Sequence, residues 1–139
     1  MPFDLNVVTP EGEAYDGRVE TVVLPGAEGD FGVLEGHEAF LSGLRVGEMT
    51  LRAEGGEELH AAVSSGFAEV HGDRVVVMVG SCEFAHEIDL DQAQIARDRA
   101  KKQLEELRGS EEGEALYQQY QEEYSRALHA IAVRERYGR

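Results

Sequence analysis

At Glu87-Ile88-Asp89 the texture of the chain changes, and that break limits the fold more than any other feature. Before it, short apolar alternations are cut by glycines and tight turns. After it, neither glycine nor proline occurs from Asp89 until Gly109. The chain therefore reads as a strand-and-turn piece over residues 1–88 and a helical piece over 89–139.

In the front piece, Phe3, Leu5 and Val7 alternate with Asp4 and Asn6, the period of a half-buried strand. Val19, Thr21 and Val23 are expected to share a face against Glu20 and Val22, with Pro25-Gly26 ending that strand. Met49, Leu51 and Ala53 face one way, Gly55-Gly56 turns the chain, and Leu59, Ala61 and Val63 return, which is a hairpin. A second hairpin runs from Phe67 to Val79 about Gly72-Asp73. No helix in this piece can cover a single sheet, so nine or ten short strands predict an antiparallel β sandwich or barrel. Gly29-Asp-Phe-Gly-Val-Leu-Glu-Gly-His-Glu38 reads either as a bulged sheet corner or as a shaped functional loop about a short Phe31–Leu34 strand.

In the rear piece, Asp89 with Gln92 three later forms a capping-box pattern. Ala93, Ala96, Ala100, Leu104 and Leu107 share one helical stripe, which Gly109 stops. Ser110 can cap a second helix, whose stripe is Tyr117, Tyr120, Tyr124, Ala127 and Ile131. Together they predict an antiparallel α-helical hairpin in which small residues of one helix admit the tyrosines of the other. Helices of this length are marginal alone in water, so the hairpin needs the sandwich or a partner.

Charge and composition exclude several functions. The net charge of −15 argues against nucleic acid, and it is uneven: −13 over residues 1–88 but −2 over 89–139. The longest apolar run, Val75 to Val79, is far short of the roughly 20 residues of a membrane span, and no leader pattern opens the sequence. The lone cysteine, Cys82, is expected to be a buried, inert thiol. Lysine occurs only at 101 and 102, so there is no P-loop; there is no Cys-x-x-Cys or His-Glu-x-x-His, and the five histidines share no ligand spacing. Ser64-Ser65-Gly66 reads as a strand-end turn rather than a nucleophile. Neither a metal site, a catalytic residue nor a bound cofactor is expected, and the chain reads as a non-enzyme.

The loop Gly29 to Glu38, the segments Leu5-Asn-Val-Val-Thr-Pro-Glu11 and Ser65-Gly-Phe-Ala-Glu-Val70, and the Glu87-Ile-Asp89 boundary together resemble the epsilon subunit of bacterial F-type ATP synthases. That resemblance implies a ten-stranded sandwich followed by a helical hairpin. It implies a non-catalytic rotor subunit of the central stalk, peripheral on the cytoplasmic face of the cell membrane. Its partners would be the gamma subunit and the membrane c-ring, with the catalytic beta subunits met by an extended, inhibitory tail. Asp30, His37 and Glu38 would face the ring, although Glu35 stands where the family usually has proline before Gly-His. Some members bind regulatory ATP through an Ile-Asp-x-x-Arg-Ala motif. This chain keeps Ile88, Asp89 and Ala93 but has Gln92 for the arginine, and Ala130 where a second-helix arginine would follow Arg126. Two missing cations weigh against regulatory ATP, leaving Asp89 and Arg126 as candidate nucleotide contacts. Arg134 and Arg136, within a terminal segment of net charge +2, are the candidate inhibitory tip. The competing reading is a free-standing β-sandwich binding module with a helical oligomerisation tail, which six aromatics and no tryptophan in the sandwich half disfavour.

Overall fold

A computed structural model describes residues 2–33, 39–108 and 113–138. The described strands are β1 (Phe3–Thr9), β2 (Gly12–Gly26), β3 (Gly29–Val33), β4 (Phe40–Leu44), β5 (Gly47–Ala53), β6 (Glu58–Val63), β7 (Gly66–His71), β8 (Arg74–Val79) and β9 (Cys82–Phe84). A 3₁₀ turn over Ala85–Glu87 leads to α1 (Leu90–Leu107) and α2 (Glu114–Tyr137).

The strands form one continuous sheet, ordered β1-β8-β7-β4-β2-β5-β6-β9, with β3 on β2 and β1 also paired to β2. The sheet folds over on itself, because residues from its two ends share one core. Phe3, Leu5, Val7, Val70, Val75 and Val77 pack in the same cluster as Met49, Leu51, Ala61, Val63 and Phe84. Pairing is antiparallel except between β1 and β8, where Leu5 lies beside Val75 and Val7 beside Val77 in parallel. Local alternation cannot reveal that exception, which joins segments distant in sequence.

The face assignment in β2 differs from the sequence expectation. Val22 and Leu24 are fully buried and Val23 is 40% exposed. Pairing with β5 shifts between Val19 and Thr21, and a bulge of this kind moves every following side chain to the opposite face. Both expected hairpins are present, turning at Gly55-Gly56 and Gly72-Asp73. Gly66 is required by close packing: a Cβ there would overlap the Met78 carbonyl of the neighbouring strand. Ser64 and Ser65 form the strand-end turn before it, and the buried Ser64 Oγ accepts the Ser81 N–H at 2.7 Å.

Asp89 caps α1, its Oδ1 accepting the Gln92 N–H at 3.2 Å. Ala100 is buried, Ala93, Leu104 and Leu107 are half-buried, and Ala96 is exposed. The residue preceding α2 is Gly113, which provides no side-chain cap; Gly109 and Ser110, the expected stop and cap, lie outside the described residues. The helices run antiparallel, since residues 93–100 of α1 and 123–130 of α2 line one cleft while Leu107 lies against Gly113. The buried stripe of α2 sits further along than expected, at Ala127, Ala130, Ile131 and Val133, while Tyr117 is exposed. Ala62 explains this. It points away from the sandwich core yet is only 2% exposed, because Ala130 and Val133 cover it together with Ala85 and Ile88. The hairpin therefore lies folded on the outer face of β5 and β6.

Candidate functional site

Three regions contain the residues singled out from sequence, and the structure keeps them apart. The first is the end of the sandwich at β3. Gly29 adopts φ +139°, which lets the chain reverse from β2 into β3 and present Asp30 at the start of that strand. Asp30 is largely exposed and paired with the Arg45 guanidinium. Behind it Phe31 meets Phe40 edge-on, centroids 5.7 Å apart. The other two residues assigned to this loop, His37 and Glu38, lie outside the described residues, as does Glu35.

The second region is a cleft of about 680 Å³ between the hairpin and the sandwich rim. It brings Asp89, Gln92 and Arg126 together and adds Arg99. Its lining also carries Glu11, Glu83, Glu87 and Glu123, so acids outnumber arginines five to two. Asp89 has its Oδ1 committed to the helix cap. Cys82 also faces this cleft. Burial, then the nearby Glu87 and Glu83 carboxylates, push its thiol up to about 12, so it is held protonated, as an inert thiol should be. Ala130 is both a cleft residue and a packing residue at 4% exposure. An arginine at this position would place a cation in the seam between α2 and Ala62. Among the described residues no group of histidine, cysteine and carboxylate side chains has metal-binding geometry.

The third region is the end of α2. Arg134 is half-buried and its Nη1 donates to the Gly138 carbonyl. Arg136 lies 4.0 Å from Glu48 of β5. Of the two arginines, Arg136 thus rests on this chain's own sandwich.

Sequence reasoning missed a fourth feature. Phe67 pairs with Met78 and with Gly43, two residues from Leu41, so all three large side chains share the outer face of β4, β7 and β8. They are 55%, 45% and 67% exposed for Phe67, Met78 and Leu41. The signal was available: once Ala68 and Val70 take the core side, strand alternation turns Phe67 outward. A cluster of this kind marks a contact surface.

Residues 2–85 match the family model described as the ATP synthase, delta/epsilon chain, beta-sandwich domain. The chain is 42% identical over 108 residues to the ATP synthase epsilon chain of Thermodesulfovibrio yellowstonii, covering 77% of this chain and 76% of that one. It is 41% identical over 113 residues to the ATP synthase epsilon chain of Anaeromyxobacter dehalogenans, covering 81% and 85%. In fold it is similar to a chain of the Euglena gracilis mitochondrial ATP synthase, solved as an OSCP/F1/c-ring assembly in rotational state 1. That likeness has a TM-score of 0.76 at 22% identity, over 94% of this chain and 80% of that one.

Proposed function

The chain belongs to the ATP synthase epsilon-chain family and is a non-catalytic subunit of that enzyme's central stalk, and from this premise we propose how its parts are used. The sandwich is the fixed piece, held to the gamma subunit through the outer patch of Leu41, Phe67 and Met78. The patch is the observation that carries this reading. An apolar cluster on an otherwise acidic sandwich is best explained by a partner that removes it from water, at about 25 cal/mol per Å² buried. The Asp30 end then faces the c-ring, with Arg45 fixing the carboxylate. Through these two contacts the subunit couples ion-driven rotation of the ring to ATP synthesis. No described helix is long and apolar enough to cross a membrane, so attachment to the membrane runs through the complex. The cytoplasmic face is the side this arrangement implies.

The hairpin is the movable piece and the brake on ATP hydrolysis. Its docked form keeps Arg136 against the sandwich and Arg134 turned onto the Gly138 carbonyl at the end of its own helix, and its extended form offers both to the beta subunits. Extension must also re-bury Ala130, Ile131 and Val133 against gamma, and that apolar term outweighs the exposed charges, each worth about 0.2–1 kcal/mol. A regulatory nucleotide is not part of this reading: the cleft is acidic and Gln92 adds no cation.

Two measurements test it. Phe67→Glu with Leu41→Glu should abolish binding to gamma while leaving the fold intact, and undiminished binding would remove the patch from the interface. Deleting residues 89–139 should raise ATP hydrolysis by the reconstituted complex. Unchanged hydrolysis would leave the rotor role and end the inhibitory one.

A further inference from the structure

The seam between α2 and the sandwich is built mostly of small residues, Ala62, Ala85 and Ala130 with Ile88 and Val133. At its far end stands a contact of a different kind. The Tyr137 ring lies flat on His60, centroids 3.4 Å apart and planes within 2°. His60 is itself held in place, its Nδ1 hydrogen-bonded with Thr50 Oγ1 at 3.1 Å across the β5–β6 pair. Two residues along β5, on the same outer face, Glu48 meets Arg136. Three of these five side chains, His60, Thr50 and Glu48, belong to the sandwich, so the receiving surface stays in place when the helix leaves.

We propose that the His60–Tyr137 stack, supported by the Glu48–Arg136 pair, is a latch that sets how much of the time the end of α2 stays docked. Alanine contributes little buried area, so the seam alone holds the helix weakly. A flat aromatic pair adds a contact that depends on orientation and is lost as soon as the tip lifts. The docked state also carries a cost: Glu48 Oε1 and Arg134 Nε are buried without a hydrogen-bond partner among the described residues. A weak seam, an orientation-dependent clasp and two unpaired polar atoms describe a closely balanced equilibrium, in which small changes at the clasp move the population. In the assembled enzyme this deepens the inhibitory reading above and rests on it only for the effect on hydrolysis.

The test changes the sandwich side alone, leaving the tip's own arginines in place. In the full chain, His60→Ala should speed hydrogen exchange of the α2 amides over 127–137 by about threefold to tenfold. Glu48→Gln should give a smaller rise, about twofold. His60→Phe, which keeps a flat ring, should stay near the unaltered rate. Exchange in β1 and β8 should not move in any variant, which separates undocking from unfolding. Unchanged α2 exchange in His60→Ala, or His60→Phe behaving like His60→Ala, would overturn the latch. Reconstituted complex carrying His60→Ala should hydrolyse ATP more slowly, because the tip is released more often. Faster exchange with unaltered hydrolysis supports the latch and counts against the inhibitory reading.

Discussion

The sandwich and the hairpin are held by different physics. The sandwich core is large and branched: Phe3, Leu5, Leu24, Met49, Leu51 and a series of valines are essentially inaccessible to water. The hairpin buries mostly alanine, with Ile131 and Val133 as its larger contributions, and leaves Leu116, Tyr117 and Leu128 exposed. Hydrophobic stabilisation scales with area removed from water, so the sandwich draws far more of it than the hairpin does. The hairpin, the movable piece of the proposed function, belongs to the weakly held end of this range.

The largest effect should come from the core. Leu51→Ala should destabilise the whole chain by about 2–5 kcal/mol in denaturant titration. A value below 1 would mean that the two regions are less different than their packing indicates. A fragment ending at Ile88 should still unfold cooperatively and still bind gamma, losing about 1–3 kcal/mol through exposure of Ile88, Ala62 and Ala85. Non-cooperative melting of that fragment would show that the hairpin supports the sandwich rather than the reverse.

A smaller effect is expected at alkaline pH. Burial, then the Glu87 and Glu83 carboxylates, push the Cys82 thiol from the ordinary 9.0 up to about 12, so folding favours the neutral thiol. The stability this contributes is whole below pH 9 and is lost as pH rises from there toward 12. Tyr15 is shifted upward as well, by burial and then by Glu57 and Asp16, and acts with the same sign above pH 10. Cys82→Ala should flatten the loss just above pH 9, measured as melting temperature against pH. The smallest effect should be that of millimolar Mg-ATP, with little or no change in melting temperature. Gln92→Arg should increase it, whereas Ala130→Arg should undock α2 instead, because Ala130 packs on Ala62. A large shift in the unaltered protein would mean that Arg99 and Arg126 suffice to hold phosphate among the cleft's acids.

Much of this division is legible in sequence because local rules govern it. Turn residues at Gly55-Gly56 and Gly72-Asp73, the Asp89 cap and the alternation in β1 each act within a few residues. What escapes is whatever depends on distant partners. The bulge after Val19 is set by pairing with β5, and it inverts the face expected for Val22 and Val23. The burial of α2 is set by Ala62 rather than by the tyrosine stripe. Of the candidate site residues, Asp89 and Arg126 line one cleft, and Asp30 stands in β3, apart from it. The role of Arg136 on the docked chain depends on Glu48, and no periodicity connects those two positions.

The parallel pairing of β1 with β8 has a consequence for how the chain is made. Asp4 sits beside Arg74 and Val8 beside Met78, so the sandwich closes across most of its own length. A ribosome delivers β1 long before β8, and β2 is the neighbour available to β1 in the meantime. Until residue 78 has cleared the exit tunnel, one edge of β1 is an open template for any passing strand. Closure over such a span is slow compared with forming a helical hairpin, whose helices are neighbours in sequence. The hairpin, synthesised after the sandwich, is therefore able to fold fast onto a surface that is only then being completed.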